Sequence, residues 1–105
     1  MSTFDDRFAV RLDDIYEMYS ETAVYKDNYD TLIDSAVAVI VEHNMQQYTD
    51  SGIDIAGAVA VIKVRASEVT DRPYRDYKFV IGSNIYNVED VFRSDGIEHA
   101  MTVTE

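Results

Sequence analysis

The chain has 105 residues, 47% of them hydrophobic, which is the size and composition of one folded domain and excludes disorder throughout. It has no cysteine, which excludes a disulfide framework, thiolate zinc sites and thiol catalysis, and which fits a reducing compartment. Twenty acidic against nine basic residues leave a net charge of −11, so the surface repels nucleic acid and anionic membranes.

Residues 3–20 read as one amphipathic helix. Phe4, Phe8, Leu12, Ile15 and Tyr19 recur at the three- and four-residue spacing that gathers side chains on one helical face. Ser2 or Thr3 caps the first turn, and Asp5 and Asp6 sit where the helix dipole favours acids. The apolar face needs a seat, and the expected one is the strand that carries Val37, Val39 and Ile40. No apolar run is long enough to span a bilayer, and residues 1–6 lack the pattern of a signal peptide, so a cytoplasmic protein is expected.

From residue 22 the pattern changes to strands. A short extended segment, 22–26, is followed by the turn cluster Asp27-Asn28-Tyr29-Asp30. Residues 31–42 form the longest apolar run, with Val37, Val39 and Val41 alternating with Ala36, Ala38 and Ile40. This density of β-branched residues favours a strand, and both faces being apolar predicts cover on both. Residues 44–57 read as a polar loop and 58–64 as another strand. The connection 65–77 holds the only proline, Pro73. Phe79 and Ile81 alternate with Lys78 before the turn Gly82-Ser83-Asn84. An extended run over 85–92 ends at Ser94-Asp95-Gly96, and a last one fills 97–103.

About six strands with hairpin connections and one helix predict a mainly β (α+β) single domain spanning 1–105. The expected form is a small antiparallel β-barrel or sandwich over about 22–104, with the N-terminal helix over about 3–20. A parallel α/β sheet is excluded because no second helix is available for crossovers.

The residue pattern announces no chemistry. His99 shares the alternating face of Ile97, Met101 and Val103 and reads as a core-edge or interfacial side chain; His43 ends an apolar strand. Neither has a carboxylate–histidine spacing that suits a metal or a general base. The acids Asp5, Asp6, Asp13 and Asp14 lack an oxygen-ligand loop. There is no nucleophile elbow and no phosphate-cradling glycine loop. The expectation is a protein that is not an enzyme, with no catalytic residue, cofactor or metal.

The tyrosines are more telling. Tyr48, Tyr74 and Tyr77 fall in the two long connections, and Arg72 and Arg75 flank the last two. Large apolar rings with polar tips beside guanidinium groups have the composition of a contact loop. The competing reading is that these rings cap the open end of the barrel. As contact loops, both connections are expected to be mobile until a partner binds.

One ordered set of residues carries a resemblance. It runs Phe4-Asp5-Asp6, then Val64-Arg65-x-x-Glu68-Val69, then Ile81-Gly82-x-x-x-Tyr86-x-Val88-x-x-Val91, then Asp95-Gly96 and a final strand. In order and spacing it resembles the head–tail joining, or head-completion, proteins of lambda-like long-tailed bacteriophages. The chain departs from that pattern where a Gly-Asp pair often precedes the Ile-Gly strand: Arg75-Asp76 stands there, one residue further off.

The resemblance implies a phage or prophage virion protein that binds as a homo-oligomeric ring between the portal/adaptor complex and the tail, with DNA passing through but not gripped. It implies assembly in the host bacterial cytoplasm and a place in the virion neck. Other tail-completion or tail-terminator proteins share the barrel style. From charge alone, a small acidic DNA-mimic inhibitor, a salt-rich source or plain solubility are alternatives.

Overall fold

A computed structural model describes residues 16, 18–43, 52 and 57–105. Its strands are β1 (Glu21–Lys26), β2 (Leu32–Glu42), β3 (Ala60–Arg65), β4 (Lys78–Ile81), β5 (Asn84–Ser94) and β6 (Glu98–Thr104). They close into a barrel in the order β1-β2-β3-β6-β5-β4. Every pairing is antiparallel, including the β1–β4 seam that shuts the barrel. The sequence left barrel and sandwich open; closure selects the barrel and removes every free strand edge.

Period-2 alternation sorts the side chains. Ala23 and Tyr25, Val37 and Val39, Ile62 and Val64, Phe79, Tyr86 and Val88, Met101 and Val103 fill the interior as one cluster. Tyr25 stacks on Phe79 at 4.9 Å between ring centroids, across the closing seam, where the two residues are register partners. Two irregularities in β5, after Val88 and after Val91, shift its register on β6 and let the long strand curl round the barrel.

The turns follow their chemistry. Gly82 and Ser83 link β4 to β5, and Gly82 has φ +60°, the first-position glycine of a type II′ hairpin. Asp27 accepts from the backbone N–H of Tyr29 at 2.8 Å and of Thr31 at 2.9 Å, which shapes the β1–β2 turn.

The helix expected over 3–20 lies outside the described residues except at its end. There the N–H of Ser20 donates to the carbonyl of Tyr16 at 3.0 Å, the spacing of one α-turn. Tyr16 is buried, and the guanidinium of Arg65 lies 4.8 Å from its ring centroid. This places Tyr16 beside the outer face of β3; Phe4, Phe8, Leu12 and Ile15, expected on the strand with Val37, Val39 and Ile40, lie outside the described residues. The strand buried on both faces is β6, not β2. Glu98, Ala100 and Thr102 point out of the barrel and are still buried, whereas Ala36 on the outside of β2 is exposed.

Candidate functional site

The five contact residues expected from the sequence divide cleanly. Tyr48 lies outside the described residues. Arg72, Tyr74, Arg75 and Tyr77 all lie on the connection between β3 and β4. Those two strands are not neighbours in the barrel, so the connection must cross an open end. It begins with a short 3-10 turn, Ala66–Glu68, and then runs as a strap over the barrel mouth.

The strap is tied to three strands on its way. Glu68 accepts from the N–H of Ala38 at 2.9 Å, supplying the carboxylate where β2 has outrun β3. Asp34 accepts from both the N–H and the hydroxyl of Thr70, at 2.9 and 2.7 Å. The Tyr25 hydroxyl reaches out of the core and donates to the carbonyl of Asp71 at 2.9 Å. Pro73, within the strap, is buried. Past it, the N–H of Asp76 donates to Val88 O and that of Val88 to Tyr77 O, both at 2.8 Å, which extends the β4–β5 ladder into the strap. These ties satisfy backbone groups of the strap along its course; the other connection, 44–57, lies outside the described residues except at Gly52 and Gly57.

The aromatic residues form a continuous series from core to surface. Phe79 stacks on Tyr25, the ring of Tyr77 lies 6.0 Å from that of Tyr25, and Tyr74 meets Tyr77 edge-on at 5.7 Å. The Arg72 guanidinium covers the Tyr74 ring at 4.9 Å. Tyr77 thus caps the barrel end, as the competing reading held. Tyr74 is 52% exposed and is the outer end of a stack rooted in the core. A large ring held rigid at the surface gives up little side-chain entropy on contact. Arg75 is turned aside to Glu89 at 3.2 Å on β5.

Arg72 has a second partner that the sequence did not announce. Its Nε donates to the Ser94 hydroxyl at 3.2 Å, and Ser94 Oγ lies 2.7 Å from His99 Nδ1. The hydroxyl keeps a proton and a second lone pair, so it can meet Nδ1 of the neutral ring in either tautomer. Burial, and then the positive charge of Arg72, hold His99 below its ordinary value and favour that neutral form. The chain Arg72–Ser94–His99 therefore fixes the guanidinium over Tyr74. Only the core-edge place of His99 was readable from strand alternation.

Asp76 shapes the last turn of the strap. Tyr77 N donates to Tyr74 O at 3.1 Å, closing a turn in which Asp76 has φ +71°. That left-handed region suits glycine, and aspartate is among the few other residues that enter it.

Several of the described carboxylates are bound within the chain. Lys63 pairs with Glu42 at 3.0 Å, Lys78 with Asp30 at 3.5 Å, Arg65 with Glu68 at 3.7 Å, and Arg93 with Glu98. Asp95 accepts from the N–H groups of Ile97 and Glu98 in the β5–β6 turn. Among the described residues no cluster of histidine and carboxylate groups is arranged to hold a metal ion. Comparison of the chain with protein families, curated proteins and solved structures gave no match.

Proposed function

We propose that this chain is a virion structural protein that joins the filled head of a long-tailed phage to its tail, as one subunit of a ring between the portal/adaptor complex and the tail. The observation that carries the reading is the strap. It presents Tyr74, flanked by Arg72, as a rigid aromatic–cation patch on a strongly acidic barrel. Such a patch suits docking on a large, less acidic protein surface, where aromatic and arginine side chains dominate contact energy. The ordered residue pattern adds support, because its members occupy structural points of the barrel: Arg65 and Glu68 pair at the start of the strap, and Tyr86 and Val88 lie in the core.

The acidic surface fits a passage that DNA traverses without being held. It fits a DNA mimic less well. A mimic needs bare carboxylates in rows, and here Glu42, Glu68, Glu89 and Glu98 are bound to cations of the same chain. The test is native mass spectrometry of the full chain mixed with the co-encoded portal, adaptor and tail proteins. A closed homo-oligomer that forms on the portal or adaptor complex is expected. Binding to none of these proteins, or capture of a nucleic-acid-binding protein in competition with DNA, overturns the reading.

A further inference from the structure

Arg72 differs from the other arginines in what holds it. Among the described residues each of the others is bound to a carboxylate: Arg65 to Glu68 at 3.7 Å, Arg75 to Glu89 at 3.2 Å, and Arg93 to Glu98. Arg72 is bound to a hydroxyl and a ring, and to no carboxylate among the described residues, in a chain with 20 acidic residues. Acids are close by in the chain and are turned to other tasks. Asp71 gives its carbonyl to Tyr25. Asp95 caps two backbone N–H groups of its turn and lies 4.0 Å from Arg93.

The guanidinium is nevertheless fixed. Its Nε donates to Ser94 Oγ, and Ser94 is the register partner of His99, which meets the same oxygen and is buried. One face of the guanidinium lies over the Tyr74 ring. With Nε and that face occupied, the end of the fork is left, where the two Nη nitrogens present parallel N–H groups from an exposed residue. That edge matches the two oxygens of one carboxylate, which a guanidinium binds bidentately and an ammonium does not. A fork ordered in advance gives up less side-chain freedom when the anion arrives. The net charge of −11 selects the kind of molecule that brings the anion. A polyanion such as nucleic acid or an anionic membrane is repelled by the whole chain, whereas one carboxylate on a protein surface meets chiefly the local cation.

We propose that Arg72 is a carboxylate-binding residue whose two Nη nitrogens receive one aspartate or glutamate side chain of a partner protein, with Ser94 and His99 as positioning residues behind it; the proposal rests on the reading of the strap as a docking patch and names the chemistry its partner brings. An apolar group next to that carboxylate would lie against Tyr74, which is 52% exposed beside the fork. Arg75, though next but one to Tyr74's guanidinium partner in sequence, takes no part, because Glu89 already fills it.

The test titrates 15N-labelled full-length chain with sodium benzoate, a single carboxylate on an apolar ring, at an ionic strength held constant with sodium chloride. The Nε–Hε resonance of Arg72 and the Tyr74 amide should shift saturably, and the side-chain resonances of Arg75 and Arg93 far less. In Ser94→Ala, on an exposed side chain, the half-saturating concentration should rise about three- to tenfold, the cost of ordering one long side chain. Ser94→Thr, which keeps the hydroxyl, should restore it. Arg72→Lys keeps the charge and loses the fork, and the saturable shift at Tyr74 should disappear. A shift shared equally by all the arginines, or an unchanged half-saturation in Ser94→Ala, overturns the proposal. So does sodium phosphate saturating Arg72 at a lower concentration than benzoate, which would make the ligand a phosphate. No phage protein enters this titration, so the ring reading stands or fails separately, in the mixture with portal, adaptor and tail proteins.

Discussion

The hydroxyl of Tyr16 donates to Oε2 of Glu98 at 2.8 Å, joining residues 82 positions apart. Glu98 is itself held by Arg93, and Arg65 covers the tyrosine ring. The bond is buried and charge-assisted, which puts it at the strong end for a protein hydrogen bond. Tyr16→Phe keeps the ring and removes the donor. It should cost about 1.5–3 kcal/mol, read as a lower urea midpoint with an unchanged slope. Burial and then the bond to Glu98 raise the Tyr16 hydroxyl well above its ordinary 10.0. The unfolded chain therefore loses this proton first, and stability should fall as pH rises above about 10. In Tyr16→Phe that alkaline loss should shrink.

The strap variant Tyr74→Ala/Arg75→Ala removes an exposed ring and a surface ion pair. Its melting temperature should stay close to the parent's, because exposed pairs of this kind contribute about 0–1 kcal/mol. Joining of filled heads to tails in an in vitro complementation assay should be lost. Normal joining by the folded variant would show that the contact surface lies elsewhere.

Acid should loosen the strap. His99 is held below its ordinary 6.5 by burial and by Arg72. Below that pH the unfolded chain binds the proton more readily than the folded one, so stability should fall as pH drops from about 6.5. A protonated His99 also sets a second cation against the Ser94 oxygen that already accepts from Arg72. Protection factors of the amides in 69–75, corrected for the intrinsic exchange rate, should fall with falling pH. In His99→Gln that pH dependence should flatten.

Asp76→Gly should stabilise the protein. The left-handed backbone at Asp76 costs an L-residue roughly 1 kcal/mol, part of which is offset by the extra freedom of glycine in the unfolded chain. A rise of a few degrees in melting temperature is the expected result. A fall would mean that the aspartate side chain holds the turn.

The strand layout was legible because the barrel wall imposes strict alternation. Val37 and Val39, Phe79, and Met101 and Val103 announce their faces, and Gly82 and Gly96 mark the turns. Closure was not legible, because the β1–β4 and β3–β6 seams pair segments that no local pattern relates. Nor was the doubly buried β6: Glu98 and Thr102 are polar residues on its outer face, and no local pattern announces that this wall is covered. At the candidate site, Arg72, Tyr74, Arg75 and Tyr77 were marked by composition. Their anchors Tyr25, Asp34, Ser94 and His99 were not, since each bond to the strap or its arginine depends on the finished barrel.

The barrel's topology also sets the order in which it can form. Residues 21–65 and 78–104 each make a three-stranded antiparallel unit, β1–β2–β3 and β4–β5–β6, joined within themselves by neighbouring strands. The two seams between the units close larger loops, which is the slow, entropically costly part of folding such a chain. The strap is the single covalent tie between the halves, and it is nailed to both. A backbone cut within it would leave two meanders, each with half of the apolar interior uncovered. Expressed together they should find each other and rebuild the barrel, while either alone should aggregate along its bare edges.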